Sequence, residues 1–257
     1  MIYVITGASS GIGKKTKEIL EEKGHQVVNV DYVNGDVSVD LSKKEDRQRA
    51  IEEIIEKTPD GFDGLILNAG IGAGAEAKKM WAVNFFAPIS LLNGLYEHMK
   101  KRSASVVVTA SNTITNEMLI RDDWVDLLVN TLDEDRVLEY AESIDRRLSP
   151  KCYSSGKKAL AIYVRRNAGR FGTDKMRINA VAPGNTTTPM TENMTDKQWE
   201  KALLIPIPTR YGKREFLDAK EIANVISFLA LPESSGVNGA IFFVDGGIDG
   251  LLRSERF

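Results

Sequence analysis

Six short apolar runs rich in Val and Ile recur at 2–5, 27–31, 64–68, 105–109, 178–182 and 240–244, and stretches of helical periodicity separate them. Runs of this length suit strands buried on both faces, and strands that alternate with helices pair in parallel with the helices packed on either side. The rhythm therefore predicts an α/β fold built on a doubly wound parallel sheet. No repeat and no Gly/Ser or Pro linker divides the chain, so residues 1–257 are expected to form a single domain around one large core.

Two places break the rhythm. Between Asp31 and Asp40 there is no room for a crossover helix, which normally needs a dozen or more residues. The strand near 36–40 is therefore expected to be short or irregular. The second break is an insertion at about 112–152, before the helix that begins near Tyr153. Trp124, Leu127, Leu128 and Thr131 share one helical face, and Val137, Ala141, Ile144 and Leu148 repeat at i, i+4, i+7 and i+11, which predicts two amphipathic helices. Loops after the C-terminal ends of strands frame the ligand crevice of open α/β sheets, so the insertion is expected to shape a substrate site. A surface decoration or an oligomer contact is the plainer alternative. Its acidic residues, Asp122 to Asp145, read as solvated by default, and Lys43 to Arg49 as a solvated helix face.

Charge and residue usage exclude several functions. Lys and Arg total 34 against 36 Asp and Glu, a net charge of -2, which leaves no basic excess for a nucleic-acid backbone. No apolar run approaches the roughly 20 residues that span a bilayer, so no membrane partner is expected. The single Cys152 forms no internal disulfide and reads as a structural thiol. No charged leader and hydrophobic signal core precede the apolar strand Ile2 to Ile5, so a cytoplasmic protein is expected. His25 and His98, in a turn and on a polar helix end, offer no metal-ligand spacing, and no metal is predicted. The expected partner is a small molecule.

The segment Thr6-Gly7-Ala8-Ser9-Ser10-Gly11-Ile12-Gly13 follows the first strand and opens a helix. Glycines let backbone approach a pyrophosphate, and a helix N-terminus points N–H groups at its charge, as in a Rossmann-type nucleotide site. Asp31 closes the second strand roughly 20 residues on, where a carboxylate accepts hydrogen bonds from an adenosine ribose and repels the 2′-phosphate of NADP. NAD is therefore the expected cofactor.

Tyr153 and Lys157 stand four apart, on one face of a helix about a turn from each other. A phenol of ordinary pKa about 10 must be lowered by positive neighbours before it acts as a base near neutrality. Ser111, just beyond the strand Ser105 to Thr109, offers a hydroxyl to the reacting oxygen. Trp81, Phe85 and Phe86 flank Asn84 on a helical segment and read as core or subunit interface.

Over nearly its whole length the sequence resembles the short-chain dehydrogenase/reductase family. Thr6 to Gly13 is similar to the family's TGxxxGxG, and Leu67-Asn68-Ala69-Gly70 to its NNAG with Leu in place of the first Asn. Asn84, Ser111, Tyr153 and Lys157 match the catalytic tetrad, and Pro183-Gly184 the PG motif beside the nicotinamide. The resemblance implies Tyr153 as acid/base and Ser111 orienting the carbonyl or alcohol oxygen. It implies Lys157 holding the nicotinamide ribose while lowering the tyrosine pKa, and Asn84 positioning a water. It further places Gly7, Ser9, Ser10, Gly11, Ile12, Gly13, Asp31, Asp40, Leu41, Asn68, Ala69, Gly70, Thr186 and Thr188 at the cofactor. The long interval from Ser111 to Tyr153, the short segment after Asp31 and the ending Val244 to Asp249 resemble the bacterial 3α-hydroxysteroid dehydrogenase/carbonyl reductase subgroup. That subgroup implies reversible, NAD-dependent oxidation of a 3α-hydroxyl on a steroid or bile acid. The alternatives are another steroid position, a non-steroid carbonyl, or a non-catalytic NAD-responsive regulator. The family also implies a homodimer or homotetramer, with the dimer favoured if the insertion covers the long helices that family tetramers pair through.

Overall fold

The computed structural model describes residues 1–131, 133–192 and 194–256. The strands are β1 (Ile2–Thr6), β2 (Gln26–Asp31), β3 (Val37–Ser38), β4 (Gly64–Leu67), β5 (Ser105–Thr109), β6 (Arg177–Pro183), β7 (Thr186–Thr187), β8 (Leu217–Asp218) and β9 (Ile241–Val244). Seven form one parallel sheet in the order β3-β2-β1-β4-β5-β6-β9, while β7 and β8 pair separately. The expected Rossmann-type doubly wound sheet is present, and β3 is as short as its connection demands. The chain winds from β1 outward to β3, then returns and winds the other way from β4. Ligands of such sheets lie at this reversal, beyond the C-terminal ends of the strands.

Burial on both faces explains why the strands read as continuous apolar runs. Side chains alternate across a strand, so Val4, Val106 and Val108 enter one core while Tyr3, Ile5 and Val107 enter the other. Helices α1 (Gly11–Glu22) and α10 (Ala219–Ala230) cover the second core through Leu20, Ile222 and Ile226. The first is covered by α2 (Lys44–Lys57), by the segment α3 (Ala77–Trp81), π turn (Ala82–Phe86), α4 (Ala87–Gly94) and α5 (Tyr96–Lys100), and by α8 (Ser149–Thr173). Trp81, Phe85 and Phe86 are core residues. His98 is buried rather than on a polar helix end, bonded to Thr58 and packed on Phe62 at 5.8 Å. Among the described residues no helix is long and apolar enough to cross a membrane.

The insertion does hold two helices, α6 (Asp122–Asn130) and α7 (Glu134–Glu142), but their boundaries differ from expectation. Trp124, Val125 and Leu128 form the buried face of α6, and Thr131 lies beyond its end. Ile144 and Leu148 lie past α7, Leu148 in a 3₁₀ turn, Arg146–Leu148. The Ser143 hydroxyl bonds Tyr140 O, and Asp145 caps the following turn through Arg147 N. Such local side-chain bonds compete with helical ones.

Instead of framing the crevice, α6 packs on α8 and α7 on α3. Trp124 meets Trp81 edge-on at 5.7 Å and donates its indole N–H to Tyr140 at 3.0 Å. The acidic residues are not merely solvated: Asp122, Asp135 and Glu142 pair with Lys158, Lys44 and Lys78 of the sheet-covering helices. Nor is Lys43 to Arg49 a wholly solvated face. Arg47 is fully buried, paired with Glu134 of α7 and bonded to Ala82 O in the π turn at 3.4 Å. The remaining helices are α9 (Asp196–Ala202) and α11 (Ile248–Leu252).

Candidate active site

A cavity of about 610 Å³ runs along the C-terminal ends of the strands, a volume in the range of small-molecule sites. Its wall includes Gly7, Ser10, Gly11, Ile12, Asp31, Asp40, Leu41, Asn68, Ala69, Gly70, Ser111, Tyr153, Lys157, Pro183, Gly184, Thr186 and Thr188. Ser9, Gly13 and Asn84 stand behind that wall.

The turn after β1 is shaped by close approach. Gly7 has φ +75 and a Cβ there would sit 2.9 Å from Ala69 Cα; at Gly13 it would sit 2.1 Å from Gly7 O. Gly13 therefore lets α1 close onto the turn instead of facing the cavity. Thr6 Oγ1 accepts from the N–H groups of Asn68 and Ala69, both at 3.0 Å, which joins the ends of β1 and β4. Ser9 braces the turn from behind: its N–H donates to Asp31 at 2.9 Å and its hydroxyl to Val33 O. Tyr32 N donates to the other Asp31 oxygen at 2.7 Å, so the carboxylate is held at the cavity edge in one orientation. Burial alone would raise the Asp40 carboxyl, but hydrogen bonds from the Ser42 hydroxyl and N–H hold it below its ordinary value.

At the other end, Lys157 reaches back from α8 and donates to Thr109 O at 2.6 Å. Burial lowers its ammonium to about 8. Burial raises the Tyr153 phenol, and its hydrogen bond with the Ser111 hydroxyl opposes that only in part. The sequence reading drew a lowered phenol from a positive neighbour together with the nicotinamide's own charge; the chain's own burial acts in the opposite direction. Asn84 sits in the π turn with its amide spent on one residue, donating to Ile71 O and accepting from Ile71 N, both at 2.9 Å. A Cβ on Gly70 would lie 3.1 Å from Asn84 Oδ1 and 3.6 Å from Lys157 Nζ, so a glycine leaves these two polar ends close. Cys152 is buried and its thiol pushed up to about 11, the environment of an inert thiol.

The loop after β6 completes the wall. A Cβ on Gly184 would lie 2.8 Å from Asp245 Cα, and Thr186 Oγ1 donates to Gly184 O at 2.8 Å. Tyr32, Lys79, Val83, Asn185 and Met190 also line the cavity. Tyr32, Val83 and Asn185 had a signal in standing next to Asp31, Asn84 and Gly184, whereas Lys79 and Met190 meet the site through tertiary packing that no local pattern records. Among the described residues of the insertion, Asn112 and Thr113 line the cavity and those of α6 and α7 do not. Among the described residues no cluster of His, Cys, Asp and Glu is arranged to hold a metal.

A glycine turn open to a pyrophosphate, a fixed carboxylate at one end and a Ser, Tyr and Lys set at the other fit a dinucleotide whose reactive ring meets an oxygen-bearing substrate. Residues 1–120 match the family profile of short chain dehydrogenases, and residues 138–249 one described as enoyl-(acyl carrier protein) reductase. The chain is 31% identical over 258 residues to the 3-alpha-hydroxysteroid dehydrogenase/carbonyl reductase of Comamonas testosteroni, spanning 100% of this chain and 99% of that one. It is also 31% identical over 267 residues to a 3-oxoacyl-(acyl-carrier-protein) reductase of Thermotoga maritima, spanning 96% and 97%. The crystal structure of the 3-alpha-hydroxysteroid dehydrogenase from Pseudomonas sp. B-0831 complexed with NADH superposes with a TM-score of 0.91 at 30% identity, over 100% of both chains.

Proposed function

The chain belongs to the short-chain dehydrogenase/reductase family of oxidoreductases, and from that premise we propose that it oxidises a 3α-hydroxyl of a steroid or bile acid reversibly, using NAD. The observation that carries this reading is one cavity with Asp31 and the glycine turn in one part of its wall and Ser111, Tyr153 and Lys157 in another. Full-length similarity to the Comamonas enzyme supports the substrate class.

NAD, when bound, supplies the carbon that accepts hydride and a positive ring charge. Gly7, Ser10, Gly11 and Ile12 would hold its pyrophosphate, Asp31 its adenosine ribose, and Asp40 and Leu41 its adenine. Lys157 would hold the nicotinamide ribose, with Pro183, Gly184, Thr186 and Thr188 beside the ring. Tyr153 then takes the hydroxyl proton during oxidation and returns it during reduction. Ser111 donates to the reacting oxygen, which stabilises the charge developing there.

The test is NADH formation followed by absorbance with 3α-hydroxysteroids, their 3β and 7α isomers, and small alcohols. Faster turnover of the 3α series is expected; turnover confined to the others would overturn the substrate assignment. The relative from Thermotoga maritima and the polar wall at Asn112, Thr113 and Asn185 favour a second reading, a non-steroid carbonyl substrate, which the same panel run with ketones and NADH distinguishes. NAD binding without turnover of any alcohol or carbonyl would mark a regulator. Cofactor choice has its own test: Asp31→Ala should narrow the NAD-over-NADP ratio of kcat/KM about tenfold, the effect of removing roughly 1.4 kcal/mol of like-charge repulsion. An unchanged ratio would refute the role given to Asp31.

A further inference from the structure

Ser111 is the N-cap of the 3₁₀ turn Asn112–Thr115, and its oxygen receives two hydrogen bonds from one residue. Thr113 N–H donates at 3.3 Å and the Thr113 hydroxyl at 3.1 Å. A hydroxyl has two lone pairs and one proton. With both lone pairs taken, the Ser111 proton is left to be given away, into the cavity whose wall Ser111 shares with Tyr153. Without the Thr113 hydroxyl one lone pair is free, and Ser111 can rotate to accept from Tyr153. The phenol proton would then be held by Ser111 and withheld from substrate.

We propose that Thr113 is a positioning residue: its N–H and hydroxyl saturate the Ser111 oxygen, so that Ser111 donates to the Tyr153 phenol or the substrate oxygen and does not accept from them. This rests on the reading that Ser111 and Tyr153 carry the acid/base chemistry. The turn does not depend on the Thr113 side chain for its place. Thr115 Oγ1 donates to Asp249 at 2.7 Å, and Asp249 is held by Arg253 and by its own N–H to Asp245. Ile114 is buried between the two threonines. Among the described residues lining the cavity, Lys157 is the titratable side chain that shares the helix of Tyr153, while Asp31, Tyr32, Asp40 and Lys79 come from other elements.

Donation to a phenolate lowers the phenol pKa, so loss of that donation moves the acid limb of the oxidation rate upward. The experiment compares Thr113→Val, Thr113→Ser and Ser111→Ala with wild type, using whichever alcohol the intact enzyme oxidises fastest. For Thr113→Val the expected result is an acid limb of kcat raised by about one pH unit and roughly tenfold lower kcat near neutrality. KM for NAD should stay within about twofold and melting within a few degrees, and Thr113→Ser should restore the wild-type limb. Thr113→Ala replaces the valine variant if that one melts early. A wild-type pH limb in Thr113→Val, or a loss that Thr113→Ser does not rescue, overturns the inference. In that event a large loss in Ser111→Ala leaves the proposed function standing. Full turnover in Ser111→Ala, or none in wild type, overturns the reading beneath it.

Discussion

Burial pushes Lys157 down to about 8 and Tyr153 upward, so the fold biases both toward their neutral forms. A neutral phenol is ready to donate a proton, and added positive charge beside it makes the reverse step possible. Tyr153→Phe keeps the ring and removes the titratable hydroxyl; kcat is expected to fall about 10²- to 10⁴-fold, the usual worth of a positioned acid/base. NAD affinity measured by fluorescence titration should change little, and near-normal turnover would refute the role. Lys157 also makes a stability prediction. Its folded value lies below its ordinary 10.5, so the unfolded chain binds more protons between about 8 and 10.5. Stability from this group is present above that window and is lost as pH falls through about 8. In urea unfolding, wild type should gain roughly 3 kcal/mol relative to Lys157→Met on going from pH 8 to pH 10.5. Parallel curves would show that burial does not act on this ammonium as described.

At the scale of elements, what the sequence made legible was what local periodicity encodes. The runs at 64–68 and 105–109 became β4 and β5 because strands buried on both faces carry apolar residues without alternation. The glycine turn was legible because close backbone approach restricts residue type, Tyr153 and Lys157 through their spacing and Ser111 through its place after a strand, whereas Asn84 came only from the resemblance to the family. Ile144 and Leu148 misled because they bury apolar surface after α7 has ended, extending a helical pattern that the backbone does not follow. Arg47 misled because a charged run on a helix is usually solvated, whereas its partner, Glu134, comes from a distant part of the chain. That pair joins α2, α7 and the π turn, with the Arg47 side chain 1% exposed and its Nε without a partner among the described residues. Removing one member of a buried pair leaves an uncompensated charge. Glu134→Ala is therefore expected to cost about 3–5 kcal/mol in urea unfolding, and Arg47→Met combined with Glu134→Leu to recover most of it. A cost below about 1 kcal/mol, the level of an exposed pair, would mean the insertion is fastened by its other contacts and not by this pair.

For the whole molecule, the same insertion decides which surfaces remain for a second copy. Family tetramers pair through long helices, and here α6 covers α8 while α7 covers α3. Trp81 of α3 is buried against Trp124 and stacked on Tyr140 at 6.5 Å. The opposite edge of the sheet is different. β9 ends the sheet, its four residues Ile241 to Val244 are only half-buried, and Phe228 on the adjoining α10 is 43% exposed. An apolar edge strand with a row of unpaired backbone groups is a surface that proteins normally cover. We therefore expect a homodimer that closes over β9 and α10, with light scattering giving twice the 28.4 kDa of one chain. Phe228→Glu would place a charge in the centre of that contact and should shift the mass toward a single chain. Because Phe228 lies outside the cavity wall, NAD binding should survive the change. A tetramer would show that the insertion leaves a pairing face open, and a dimer indifferent to Phe228→Glu would move the contact away from α10.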